Sequence, residues 1–299
     1  MEKSEFEKYV KAGEILSQVK KDAAKSVKPG QKVLDVCERI ENQILELKGK
    51  PAFPVNLSAN ENAAHDTAKV KDERVVGEKD LLKVDVGVQV DGFIADCAFT
   101  LDFSGEWEKL VEASELALQN ALSVVKIGVE TGKIGAEIEN AIQSKGFHPI
   151  RNLSGHGLLE GQTHAEPTIP NYNDHSQTKL EEGMAFAIEP FACTGDGIVR
   201  EGGTVEIFSL ESPRPVRHPK ARDVQDFVIE NFELLPFAER WIDKELKLSE
   251  FDRKIALREL VQKEVLHSYP VLHERKGVFV AQSETSIVLF DGKVHILVK

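Results

Sequence analysis

Three cysteines in 299 residues, Cys37, Cys97 and Cys193, leave little room for thiol chemistry. The number is odd and no two form a CxxC pair, which argues against a disulfide framework and a thiolate zinc site, and for a reducing compartment. Long hydrophobic runs are missing too: no window approaches the roughly 18–20 apolar residues of a membrane span. The opening MEKSEFEKYVKAGEIL has no apolar core leading to a cleavage site, so a cytoplasmic protein without membrane contact is expected. Positive charge is in deficit. Against 38 Lys and Arg stand 50 Asp and Glu, a net charge of −12, which disfavours a general nucleic-acid binder and favours small molecules, cations or peptide amines. No low-complexity tract or short tandem repeat is present, and without an obvious apolar patch the expected state is a monomer.

What is present begins with core-forming capacity. A 41% hydrophobic chain of this length can bury a large α/β core, read here as one domain over 1–299 with an inserted, mainly helical lobe near 211–270. Helices are predicted from the Ser4–Glu7 capping-box pattern to about Pro29, over Val33–Leu47, Trp107–Val125 and Ile134–Ile142, and within the lobe near 222–230, 237–246 and 249–264. The intervening PAFPVNLSANENAAHD has neither helical nor strand periodicity and reads as a connection approaching a site.

The most informative segment is LLKVDVGVQVDGFIADCAFT, residues 81–100. Apolar residues alternate on both sides of Asp91-Gly92, a pair that favours a type I′ hairpin turn. That turn sets Val90 opposite Phe93, Gly87 opposite Asp96 and Asp85 opposite Ala98. Asp85 and Asp96 then become diagonal neighbours on one face, while Cys97 points to the other. Two such carboxylates repel unless a raised pKa, a Lys or Arg, or a divalent cation neutralises them, or unless the hairpin simply faces water.

Further acids interrupt apolar strands, Glu189 in MAFAIEPFAC and Glu284 in GVFVAQSETSIVLF, and His156 stands between two glycines in SGHGL. Each has an ordinary explanation: a hydrogen-bonded loop histidine, a strand-end acid paired with Arg200, a carboxylate satisfying amides at a bulge. Together, Asp85, Asp96, His156, Glu189 and Glu284 are oxygen-rich ligands with one imidazole, a set suited to Mn, Fe, Co or Zn and, through bridging carboxylates, to two ions.

The ordered segments NENAAH (60–65), KVDVGVQVDGFIAD (83–96), SGHGL (154–158), HAEPTIP (164–170), AIEPF (187–191) and QSETSIVL (282–289) resemble the archaeal type 2 methionine aminopeptidases over nearly the whole chain. The resemblance implies an α+β pita-bread fold, two pseudo-symmetric α/β halves around a dinuclear metal site, with the insertion between Glu189 and Glu284. It implies that Asp85 holds one ion, His156 and Glu189 the other, and that Asp96 and Glu284 bridge both. It also implies that Glu189 relays a proton, that His65 and His164 contact the peptide, and that the substrates are Met-Xaa N-termini of nascent proteins, with ribosome association compatible. Otherwise His65 caps the following helix and His164 bonds to a turn. Candidate walls for a methionine pocket are Phe53, Pro54, Ile94 and Phe191. Two competing functions resemble this one: a proline-directed aminopeptidase or prolidase, usually carrying an extra N-terminal domain, and a non-catalytic ribosome- or RNA-binding relative lacking the ligands.

Overall fold

The computed structural model describes residues 1–299. Helix α1 (Lys3–Ser26) buries Tyr9, Ala12, Leu16, Val19 and Ala23 at helical spacing, and α2 (Val33–Glu46) buries Val36, Cys37, Ile40 and Ile44. The start of α1 differs from the predicted capping box. Glu2 is the cap and its N–H donates to the Glu5 carboxylate at 2.6 Å, so Ser4 lies inside the first turn.

Residues predicted to be a plain connection contain three short strands, β1 (Lys50–Pro51), β2 (Asn56–Ala59) and β3 (Asn62–Ala64). They are too short to carry a periodic signal. Pairing imposes their conformation: Asn56 lies opposite Asp85 and Ala59 opposite Leu82 of β4 (Leu81–Val90). The hairpin of β4 with β5 (Phe93–Asp102) has the predicted register at Val90–Phe93, Gly87–Asp96 and Asp85–Ala98. Its turn has φ +49° at Asp91 and +86° at Gly92, the two positive values that type I′ requires.

Next come α3 (Glu108–Val124) and α4 (Thr131–Ser144), then β6 (His148–Pro149), β7 (Ser154–Leu159), β8 (Gln162–Pro170), β9 (Ala185–Ile188) and β10 (Phe191–Cys193). The remainder is β11 (Arg200–Leu210), α5 (Pro219–Asn231), β12 (Phe237–Ala238), α6 (Glu239–Leu246), α7 (Glu250–Gln262), β13 (Leu266–His273), β14 (Val280–Gln282), β15 (Thr285–Phe290) and β16 (Lys293–Ile296). All pairings between strands are antiparallel.

Two helix-backed halves result. In one core, α1 and α2 cover Val84, Val86, Val88, Ile94 and Cys97 of the first hairpin. In another, α3 and α4 cover Phe186, Ile188, Ile287 and Leu289 of a sheet ordered β16-β15-β9-β7-β8. A third core lies in the stretch from β11 to β13, where Val224, Val228, Ile242, Ala256 and Leu260 of α5 to α7 pack with Phe208, Phe237 and Leu266. That lobe is rooted in the body, because β13 continues the sheet to β3, just before His65.

Candidate active site and metal centre

Between the halves lies a cavity of about 230 Å³. Asp85, Asp96, His156, Glu189, Glu284, His65 and His164 all line it, so the fold brings every candidate side chain to one place. Asp85 and Asp96 arrive on the hairpin. His156 is delivered by β7, between glycines that cannot be replaced cheaply: a Cβ on Gly155 would stand 2.3 Å from the Ala187 carbonyl oxygen, and one on Gly157 2.1 Å from that of Glu166. Glu189 sits in the break between β9 and β10, and Glu284 in the break between β14 and β15, directly across from it.

Ligand atoms of Asp96, His156 and Glu284 all fall within 4.8 Å of one another. The His156 Nε2 lies 3.8 Å from Asp96 Oδ2 and 3.9 Å from Glu189 Oε1. Its other nitrogen, Nδ1, is 3.3 Å from the Gly157 carbonyl oxygen. A carbonyl only accepts, so the ring proton belongs on Nδ1 and the Nε2 lone pair faces the carboxylates. Burial lowers the pKa of this imidazole to about 3, which keeps it neutral.

The carboxylates show the complementary strain. Burial raises Asp85 to about 7 against a hydrogen bond from Gln282, and burial with the neighbouring acids pushes Asp96, Glu189 and Glu284 well above the carboxylate range. No Lys or Arg forms an ion pair with any of the four, and the Arg200 partner considered for Glu189 is replaced by the Gln282 amide at 3.4 Å. Buried Oδ1 atoms of Asp85 and Asp96 and Oε1 of Glu284 have no hydrogen-bond donor. Carboxylate oxygens converging with no Lys or Arg between them are what a divalent-cation site requires, so the residues present fit bound metal.

His65 also lines the cavity. Its Nδ1 is 3.2 Å from the Pro270 carbonyl oxygen and therefore carries the proton, leaving the Nε2 lone pair free. Burial and the nearby His164 lower this imidazole to about 4. His164 stacks edge-on against His156 with centroids 4.6 Å apart, and Tyr269 meets His65 edge-on at 5.4 Å. Of the candidate pocket walls, Phe53 and Phe191 line the cavity; Pro54 does not, and Ile94 is buried in the first core. Sequence reasoning missed Tyr269, Asn56, Pro236 and Ile207, whose place in the wall depends on pairing between distant strands. Gln282 was within reach, standing two residues before Glu284 in the same interrupted strand.

The model of metallopeptidase family M24 matches residues 7–210. The chain belongs to this family. Members use divalent metal, in agreement with the fit of the donor set above. The chain is similar to the methionine aminopeptidase of Archaeoglobus fulgidus, 47% identical with 98% of each chain covered, and to that of Methanocaldococcus jannaschii, 40% identical with 100% of each covered. Among solved structures, a thermophilic Arx1 superposes with a TM-score of 0.86 at 17% identity, covering 100% of this chain and 91% of that one. A Thermotoga maritima methionine aminopeptidase does so at 0.71 and 24% identity, covering 100% and 98%. The fold is the α+β pita-bread architecture.

Proposed function

We propose that this M24 peptidase removes N-terminal methionine from nascent polypeptides by hydrolysing the first peptide bond. The observation that carries the reading is the convergence of donorless buried carboxylate oxygens and a neutral imidazole lone pair in one cavity, in a chain end-to-end similar to methionine aminopeptidases. Asp85, Asp96, His156, Glu189 and Glu284 would hold two divalent ions, of Co, Mn, Fe or Zn. Such ions supply Lewis acidity and lower the pKa of water.

The protein's own residues do the rest. Glu189, whose Oε1 lies 3.9 Å from His156 Nε2 in the cavity, accepts a proton from water and returns one to the leaving amine. His65, protonated on Nδ1 by its bond to Pro270, offers Nε2 as an acceptor for the substrate's amide N–H, and His164 faces the same space. Phe53 and Phe191 give the methionine side chain an apolar seat. Phe53 owes its position to Gly87, where a Cβ would meet its ring at 2.3 Å.

In this reading the enzyme is monomeric and acts in the cytoplasm on emerging Met-Xaa chains, beside or on the ribosome. The test is release of methionine from Met-Ala-Ser by purified protein supplied with each metal, against turnover of Ala-Pro substrates. Methionine release that disappears on chelation supports the proposal. Preference for Ala-Pro would convert it to a proline-directed enzyme, and inactivity with every metal would end it.

A further inference from the structure

The insertion reaches the active site through a buried ion pair. Arg240, in the first turn of α6, pairs through Nη2 with the Glu41 carboxylate of α2, the two side chains being 5% and 8% exposed. Nη1 of the same guanidinium donates to Thr67 Oγ1 at 3.0 Å and to the Ala68 carbonyl at 3.3 Å. Glu41 also accepts the Val55 backbone N–H at 3.1 Å and the Trp241 indole N–H at 3.1 Å. The Thr67 hydroxyl donates to the Val55 carbonyl at 2.7 Å, which closes the knot.

Both backbones gathered there continue into the cavity wall. Val55 precedes Asn56, which lines the cavity opposite Asp85. Thr67 follows His65 by two residues. His65 itself adopts φ +62°, in the left-handed region that is uncommon for a residue with a side chain. Before it, Ala64 is paired with Leu272 of β13. After it, Arg74 grips the Asp66 carboxylate at 2.7 Å from a side chain 40% exposed, and Arg240 grips Thr67 and Ala68 from the interior.

Stability alone does not account for the pair, because apolar residues of equal volume commonly replace a buried ion pair without loss. Nor would lysine serve equally. A guanidinium addresses a carboxylate, a hydroxyl and a carbonyl with a rigid fork, whereas an ammonium on a flexible stem has no such fixed geometry.

We propose that Arg240 is a positioning residue: through Glu41, Thr67 and Ala68 it fixes the loop that aims His65 into the cavity, so the insertion governs the reactivity of a residue carried by the first half. This rests on the reading of His65 as a substrate-side group and adds the device that orients it.

The test is the double variant Glu41→Gln/Arg240→Met in the full-length, metal-loaded protein. It removes both charges together while the introduced glutamine amide oxygen still accepts the Val55 N–H. Displacement of His65 by a fraction of an ångström to an ångström predicts a fall in kcat for Met-Ala-Ser of about 10- to 100-fold, with KM and bound metal little changed. The fall should be smaller in Arg240→Lys. In metal-free protein, the rate at which diethyl pyrocarbonate modifies His65, followed by mass spectrometry, should shift by roughly threefold or more, the size expected of a changed imidazole environment. Parent-like kcat and modification rate in a folded variant would overturn the proposal. If the double variant does not fold, Arg240→Lys decides by the same two readouts. A His65→Ala control separates the layers: full turnover there removes the underlying reading and the proposal with it, while slow turnover beside normal Arg240 variants removes positioning only.

Discussion

Asp96→Asn separates a metal centre from an ordinary buried acid cluster, because it moves two observables in opposite directions. The substitution keeps shape and removes one negative charge from a group whose ligand atom lies within 4.8 Å of those of His156 and Glu284. At a separation of about 4–5 Å and an effective dielectric near 20, one unit charge contributes roughly 3–4 kcal/mol per opposing charge. A divalent ion presents two such charges, so metal affinity should fall by roughly 10⁴-fold or more per ion affected, since every 1.4 kcal/mol is about tenfold. In the metal-free protein the same change should stabilise. It removes a carboxylate from the neighbourhood of Glu189 and Glu284 and supplies an amide donor where Glu284 Oε1 has none. Isothermal titration with Mn or Co gives the affinity, thermal unfolding with and without chelator gives the stability, and Met-Ala-Ser hydrolysis gives the activity. Unchanged affinity, or a metal-free Asp96→Asn protein less stable than its parent, would refute the reasoning.

The remaining predictions use different parts of the site. His65→Ala should leave metal content intact while lowering turnover by about 10²-fold or more, the range for a lost acid–base or positioning partner; parent-like kcat would remove His65 from the chemistry. The pH dependence of the stabilisation by metal has a defined sign. In metal-free protein the lowered pKa values of buried Lys83 and of His65, His156 and His164 make stability rise with pH, so the carboxylates are isolated by comparing metal-free with metal-loaded protein. The carboxylates' folded pKa values are raised, Asp85 to about 7, so the metal-free folded state holds protons that the unfolded state has released, and their contribution to stability falls as pH rises through about 7. Saturating metal should remove that contribution, so the gain in melting temperature on adding metal should grow as pH rises, and a gain that shrinks would contradict it. Gly157→Ala forces a Cβ to 2.1 Å from the Glu166 carbonyl oxygen and should cost about 1–3 kcal/mol with loss of metal affinity as His156 shifts; a neutral melting temperature would contradict the packing argument.

Legibility in the sequence followed the range of the determining interaction. The Asp85–Asp96 hairpin was readable because a two-residue turn and strict alternation are local, and its register followed from them. Glu189 and Glu284 stood out as charges in apolar runs, and His156 through its glycines. Taken singly, the bare residues favoured loop histidine and ion-paired acid over metal ligand; their conjunction reversed that, and the ordered family segments assigned the roles. Strands β1 to β3 were invisible, since short segments held by cross-strand pairing have no period of their own. Tyr269 and Pro270 were missed for a related reason. Their approach to His65 follows from the pairing of β13 with β3 across some 200 positions of chain, and a tyrosine followed by proline signals nothing of it.

The placement of the two glutamates explains why the centre forms where it does. β9 belongs to the five-stranded sheet and β10 to another sheet with β14 and β6; β15 lies beside β9 and β14 beside β10. Both strand pairs therefore change sheets at the same level, at Glu189-Pro190 on one chain segment and Ser283-Glu284 on the other. Proline cannot donate to a ladder, and at this break the Pro190 carbonyl takes the Ser283 N–H at 3.2 Å while Glu284 N–H turns away to the Ala98 carbonyl of the first hairpin at 2.9 Å. That last bond couples the halves at the residue opposite Asp85. In a regular sheet Glu189 and Glu284, directly opposed, would share the face of Ala187 and Val288, which is packed into the first core, at high cost. The shared break splays the strands, opens a gap between sheets and lets both carboxylates enter it from one side as Asp85 and Asp96 enter from the other. Removing the break should thus disperse the site even with every ligand present. Pro190→Val, which restores a donor and β propensity at the crossing, is expected to weaken metal binding without touching a ligand, and metal affinity within about twofold of the parent would show that the sheet switch is not what assembles the centre.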